Sequence, residues 1–238
     1  MDGTDLHFYL SASGASEGGA TSSTPIVDAT DNNVFSDVSS SSRIAGGTEV
    51  RKIFMANEHA TDAYAAHSIW ISTAPTHCTG YIGLGFNDAD DDELTAGNLV
   101  AFSGGAKVAL ISDGADTRAV DVYGLVGGVP TKETMTLTGS SEVLSSATFD
   151  SGLVYALHTT VSASRTVTVK QGTGGTTRGT IGIGKTNCFL WLTAASKSAG
   201  LRLPALVAGA TEGIWEKVVW AAAAIASAQD LPLATEAL

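Results

Sequence analysis

From Gly104 to Gly184 the sequence breaks into short runs of β-branched and apolar residues, separated by turn-forming residues about every 10 positions. That texture constrains the fold more than any other feature of the chain. The runs are Lys107 to Ser112, Ala119 to Gly124, Thr131 to Thr138, Glu142 to Phe149, Val154 to Thr159, Thr166 to Gln171 and Gly179 to Ile183. About seven strands in ~80 residues describe a compact immunoglobulin-like or Greek-key β-sandwich. In Arg165-Thr-Val-Thr-Val-Lys170 the alternation sets Val167 and Val169 on one side of a sheet and Thr and Lys on the other. Gly127-Gly128 and Gly172-Thr-Gly-Gly175 supply sharp turns.

The flanking sequence carries strands of a different texture. Leu6 to Leu10, Thr48 to Asn57, Ala66 to Thr73 and Tyr81 to Phe86 precede the tidy runs, with Trp70 expected as a core anchor, and Cys188 to Leu192 and Ile214 to Trp220 follow them. Residues 185–238 hold too few strands to close a core alone, whereas joined to the first hundred residues they complete one. The expected architecture is therefore all-β: a discontinuous outer sandwich of jelly-roll or Ig-like type, residues 1–103 plus 185–238, with an Ig-like or Greek-key sandwich, residues 104–184, inserted in it. Ser11 to Thr24 is almost wholly Ser, Gly, Ala and Thr and reads as a loop or arm, and Ser39 to Ser42 as a polar turn. Ala221 to Ala226 has the best helix propensity in the chain but is short and uncapped. Asp230-Leu-Pro-Leu reads as an extended segment that needs another surface to lie on.

Charge limits the partners. With 13 Lys+Arg against 24 Asp+Glu, the net charge of −11 repels phosphate backbones and anionic lipid, so neither nucleic acid nor a membrane is expected to bind. No apolar run approaches ~18 residues, and Met1-Asp-Gly-Thr-Asp5 lacks the basic and apolar regions of a signal peptide, so synthesis in a cytoplasm is expected. Cys78 and Cys188 have no zinc-type spacing and read as free thiols, with a long-range disulfide as the alternative.

Residues that could carry chemistry are few. None of His7, His59, His67, His77 and His158 lies in a metalloprotease or HxH context. His59 and His67 could meet across a hairpin, but no third ligand is spaced nearby. In Asn87-Asp-Ala-Asp-Asp-Asp-Glu93 the oxygen ligands Asp88, Asp90, Asp92 and Glu93 form a weak calcium candidate; the glycine of an EF-hand loop is missing, which favours a solvated acidic loop. Gly80-Tyr-Ile-Gly-Leu-Gly85 and Gly172-Thr-Gly-Gly175 lack the Lys-Ser/Thr pair of a phosphate loop and read as turns. No catalytic triad stands out. The expectation is a non-enzymatic protein without a cofactor.

Leu6-His-Phe-Tyr-Leu-Ser11, Ser23-Thr-Pro-Ile26, Asn33-Val-Phe-Ser-Asp-Val-Ser39, Gly47-Thr-Glu-Val-Arg-Lys52 and Asn57 with Ile69-Trp-Ile-Ser72 follow one another in an order and spacing that resembles a family of tailed-bacteriophage virion structural proteins. Gly213-Ile-Trp-Glu-Lys217 resembles that family's closing strand, and Val122-Tyr-Gly124 through Pro130, Glu133 and Gly139 is similar to strands of phage Ig-like modules. The resemblance implies a multi-copy particle component, a capsid decoration or cement protein or a neck or tail-baseplate protein, located in the virion. Its implied partners are other virion proteins and copies of itself. The rival reading is a carbohydrate-binding β-sandwich module or receptor-binding adhesin that uses exposed aromatics; at 7% aromatic, with most in apolar strands, core packing accounts for the greater part of them.

Overall fold

The computed structural model describes residues 5–12, 18–27, 34–35, 38–73, 78–88, 91, 98–222 and 233–237. It is nearly all-β, with antiparallel sheets packed together. The chain divides into two compact units, residues 1–87 with 192–201 and 205–238, and residues 88–191 with 202–204.

The first unit contains β1 (Leu6–Ser11), β2 (Thr21–Pro25), α1 (Ser40–Ala45), β3 (Gly47–Asn57), β4 (His67–Ile71) and β5 (Thr79–Gly85). Its sheet runs β2-β1-β3, then a strand from much later in the chain, then β5. Two segments read as irregular take regular form. The serine turn is helix α1, because the Ser39 hydroxyl accepts the Ser42 amide at 3.2 Å as an N-cap and Gly46, at φ 75°, lets the chain leave. The end of the Ser11 to Thr24 arm is β2, which pairs antiparallel with β1 of the same chain; residues 13–17 lie outside the described residues.

The second unit contains β6 (Val108–Ser112), β7 (Ala119–Val126), β8 (Val129–Thr136), β9 (Val143–Leu144), β10 (Val154–His158), β11 (Val167–Gln171), β12 (Thr177–Ile181) and β13 (Asn187–Phe189). They form two four-stranded sheets, β13-β10-β7-β8 and β12-β11-β6-β9. Alternate residues point inward and are apolar: Val108, Leu110, Val120, Val122, Val167 and Val169 are fully buried. Burying each such side chain contributes roughly 1.5–3 kcal/mol. Constant-type immunoglobulin domains pair strands as ABED and CFG. Here the first strand, β6, lies beside the sixth, β11, and the third, β8, beside the second, β7, so the order is not that of an immunoglobulin domain.

The unit boundaries fall at 87/88 and 191/192 rather than at the expected 103/104 and 184/185. Main-chain bonding is the reason. Cys188 and Phe189 lie on β13 and pair with β10, the Leu99 amide donates to Phe189 O at 3.1 Å, and the Val100 amide donates to Arg178 O at 2.6 Å. The Cys188 strand therefore builds the second unit and not the outer one.

The chain continues through β14 (Leu201–Leu203), β15 (Thr211–Trp220) and β16 (Leu233–Ala237). β15 inserts between β3 and β5, paired with β3 from Thr211↔Ala56 to Trp220↔Gly47. Both faces of this centre are covered: Ile53, Met55 and Ile214 are buried on one, and Phe54 and Trp215 on the other. Hence Ile53-Phe-Met-Ala56 reads as an apolar run and not an alternation. Gly83 is the register partner of Trp215, so the Gly80 to Gly85 run is strand, as expected for Tyr81 to Phe86, and not the turn read at its glycines; it sets a residue without a side chain opposite the indole. β16 pairs with β4 from Leu233↔Ile71 to Ala237↔His67, which identifies the surface under the C-terminal segment. On β4 His67, Ser68, Ile69 and Ile71 are buried, while Trp70 is only half-buried and does not anchor the core. The described residues of this unit form one five-stranded sheet and the β4–β16 pairing, not the two four-stranded sheets of a jelly roll. Residues 223–230, most of the alanine-rich run, lie outside the described residues.

Candidate functional site

In the second unit a polar row crosses four neighbouring strands. Asn187 on β13, His158 on β10, Asp121 on β7 and Thr134 on β8 are successive register partners and so share one face of the sheet. Thr134 Oγ1 donates to Asp121 Oδ1 at 2.6 Å, and Lys132 Nζ lies 2.7 Å from Asp121 Oδ2. The acidic segment folds onto the other end of this row. Asp88 Oδ2 lies 3.3 Å from His158 Nε2, and the fully buried Asp91 accepts a hydrogen bond from Asn187 Nδ2 through Oδ1. Burial pushes the His158 pKa down while Asp88 pulls it up, and the net shift is downward. At neutral pH the Asp88–His158 contact is thus a hydrogen bond from a neutral imidazole.

Of the calcium candidates, Asp88 stands in this row, whereas Asp90, Asp92 and Glu93 lie outside the described residues. The carboxylate that sequence reasoning passed over, Asp91, is the buried one. Its signal was the partner: Asn187 is a polar residue opening an otherwise apolar strand. Among the described residues no three His, Cys, Asp or Glu side chains gather to hold a metal ion.

The histidines do not form a common site. His59 Nδ1 accepts the amides of Thr61 and Asp62, at 3.2 and 2.8 Å, and closes a local turn. His67 is buried, with Nε2 3.1 Å from Glu212 Oε2. His59 and His67 thus take different partners. His7 Nε2 lies 3.6 Å from Glu58 Oε2, and His77 lies outside the described residues. Both cysteines are free thiols; burial pushes the Cys188 pKa up to about 12, which keeps it an unreactive core residue.

The first unit carries a cleft of about 380 Å³, lined among others by Tyr9, Thr21, Ser22, Ser23, Glu58 and Thr211. Tyr9 comes from β1, the Thr21 to Ser23 stretch from the edge strand β2, and Glu58 from the residue after β3. The Tyr9 hydroxyl donates to Glu58 Oε1. That bond raises the phenol pKa above its ordinary value, so the proton stays in place at neutral pH. Asn87 fixes the far side: its Oδ1 accepts the Thr21 amide at 3.0 Å and its Nδ2 donates to Thr211 Oγ1 at 2.7 Å. Sequence reading missed this cleft because its residues meet only when β2 folds back onto β1.

No protein-family model, curated protein or solved structure matches the chain. Among the described residues no helix is long and apolar enough to cross a membrane.

Proposed function

We propose that the chain is a non-enzymatic structural component of a tailed-bacteriophage particle, present in many copies and acting through contacts with itself and with other virion proteins. One observation carries the reading. Several segments that bear the resemblance lie far apart in the sequence yet form neighbouring strands: Leu6–Ser11 is β1, Thr24-Pro25 ends β2, Gly47 to Lys52 and Asn57 lie on β3, and Gly213 to Lys217 lies on β15; Ile69 to Ile71 lies on β4, and Val122 to Gly139 in the second unit. Much of the resemblance thus falls on the strands of one sheet, which supports the reading. The polar groups described above are engaged in bonds that hold loops to sheets, which suits a part whose work is to keep its shape.

The test is mass spectrometry of gradient-purified particles made by the genome that encodes this chain. Peptides of the chain at a stoichiometry of tens of copies or more per particle are expected. Their absence from particles that contain the other structural proteins overturns the reading.

A further inference from the structure

The cleft over Tyr9 and Glu58 combines a phenol ring with hydroxyl, amide and carboxylate groups, and its chemistry is selective. Among the described residues no Lys or Arg lines it, and with a net charge of −11 on the chain an anionic ligand is disfavoured. Nor is it a simple cation trap. Its carboxylate already accepts from the Tyr9 hydroxyl and has His7 Nε2 3.6 Å from the other oxygen, and around it stand Ser and Thr hydroxyls, each both donor and acceptor. A ligand that matches such a lining presents alternating donors and acceptors of its own together with patches of C–H surface for the phenol ring. Polyhydroxylated rings have that character.

The site is also prepared in advance. Glu58 is held by its amide donating to Asp5 O at 2.8 Å, Tyr9 is held on β1 between β2 and β3, and Asn87 ties Thr21 to Thr211. About half of the Glu58 side chain remains exposed, at 48%, so its free lone pairs can take ligand hydroxyls. Ser23, exposed on the edge strand, offers a further hydroxyl. The backbone that carries these side chains is thus fixed before a ligand arrives, so little main-chain entropy is left to lose on binding.

We propose that this cleft binds a neutral glycan, with one sugar ring seated against Tyr9 and its hydroxyls engaged by Glu58 and the hydroxyls of β2. The inference goes beyond the particle reading and stands without it, since a chain that never enters a particle would bind the same ligand. The test probes the intact chain on an array of neutral oligosaccharides built from glucose, galactose, mannose and N-acetylhexosamines, followed by titration of the best-retained oligosaccharide. Expected are retention on at least one series, a loss of affinity of tenfold or more in Tyr9→Ala and in Glu58→Gln, and unchanged affinity in His59→Ala. Should the first two variants fail to fold, the wild-type amide resonances of Ser22, Ser23, Glu58 and Thr211 decide: they should shift on titration. Retention of no neutral oligosaccharide overturns the proposal, as does retention that leaves those resonances unmoved. Shifts of the same amides by spermine but by no sugar would identify a cation site and equally overturn it.

Discussion

The two units solve the same problem, a covered β-sheet, by different means. In the second unit the inward positions at Val108, Leu110, Val167 and Val169 are plain hydrocarbon, while Asp121 and Thr134 keep to the other face of their sheet, where they share a row with the buried Asn187 and its partner Asp91. In the first unit the middle of the sheet holds Lys52, fully buried. Its ammonium donates to Gly19 O at 2.8 Å and Phe86 O at 2.5 Å and lies 5.1 Å and 5.3 Å from the centres of the Phe54 and Trp215 rings. The second core is held mostly by area and the first partly by a charge that stitches two distant loops to a strand. Area degrades gradually when side chains shrink, whereas a buried charge fails abruptly when its partners are lost.

The largest effect should come from Lys52→Ala, which removes the donor of two part-buried carbonyls and leaves a cavity; a loss of about 3–5 kcal/mol is expected in urea unfolding of the intact chain. Lys52→Met keeps the stem between the rings and should recover about 1–2 kcal/mol of that loss. A Met variant as stable as the wild type would break the contrast, because the ammonium bonds would then contribute nothing. In the second unit Leu110→Ala should cost about 3 kcal/mol, with hydrogen exchange accelerating first in β6 and β11. Glycine sharpens the comparison by giving both units one shared constraint. A Cβ on Gly124 would lie 2.4 Å from Leu153 O and 2.8 Å from Phe149 Cδ1, and one on Gly213 would lie 2.8 Å from both Gly85 C and Phe86 N. Gly124→Ala and Gly213→Ala should therefore cost similar amounts, roughly 1–3 kcal/mol, read as shifts of the urea midpoint.

The smallest effect concerns pH. The folded-state pKa of His158 lies below its unfolded value, chiefly through burial, so its contribution is present above about pH 6.5 and is lost as the pH falls through the folded pKa. Stability measured at pH 7.5 and 5.5 should decline on acidification, and His158→Gln should flatten part of that slope. An unchanged slope would mean that the imidazole is as easily protonated in the sheet as in the unfolded chain.

The second unit's interior was legible in the sequence because inward alternation and turn glycines act within a few residues: Val167 and Val169 announce their face, and Gly127 and Gly128, at φ 58° and 78°, announce their hairpin. What each strand pairs with was not legible. Cys188-Phe189 has the same apolar texture as Ile214-Trp215, and only hydrogen-bond partners, β10 for one and β3 with β5 for the other, assign them to different units. Polar groups in the interior were hidden for a related reason. Lys52, Asp91 and His67 read as surface residues until the carbonyl, amide or carboxylate that satisfies each is supplied by a segment distant in sequence. The cleft shares this character, since Ser22 and Ser23 look like spacer residues until β2 doubles back.

The place of β15 sets an order of events during synthesis. β3 and β5 are not neighbours in the sheet; the strand that joins them, Thr211–Trp220, leaves the ribosome only after β6 to β13 have all emerged. The second unit can therefore close while the first still presents two open strand edges, one on β3 and one on β5, to anything nearby with a free strand. The late arrival of β15 ends that interval by pairing with β3 on one side and β5 on the other, which completes the five-stranded ladder.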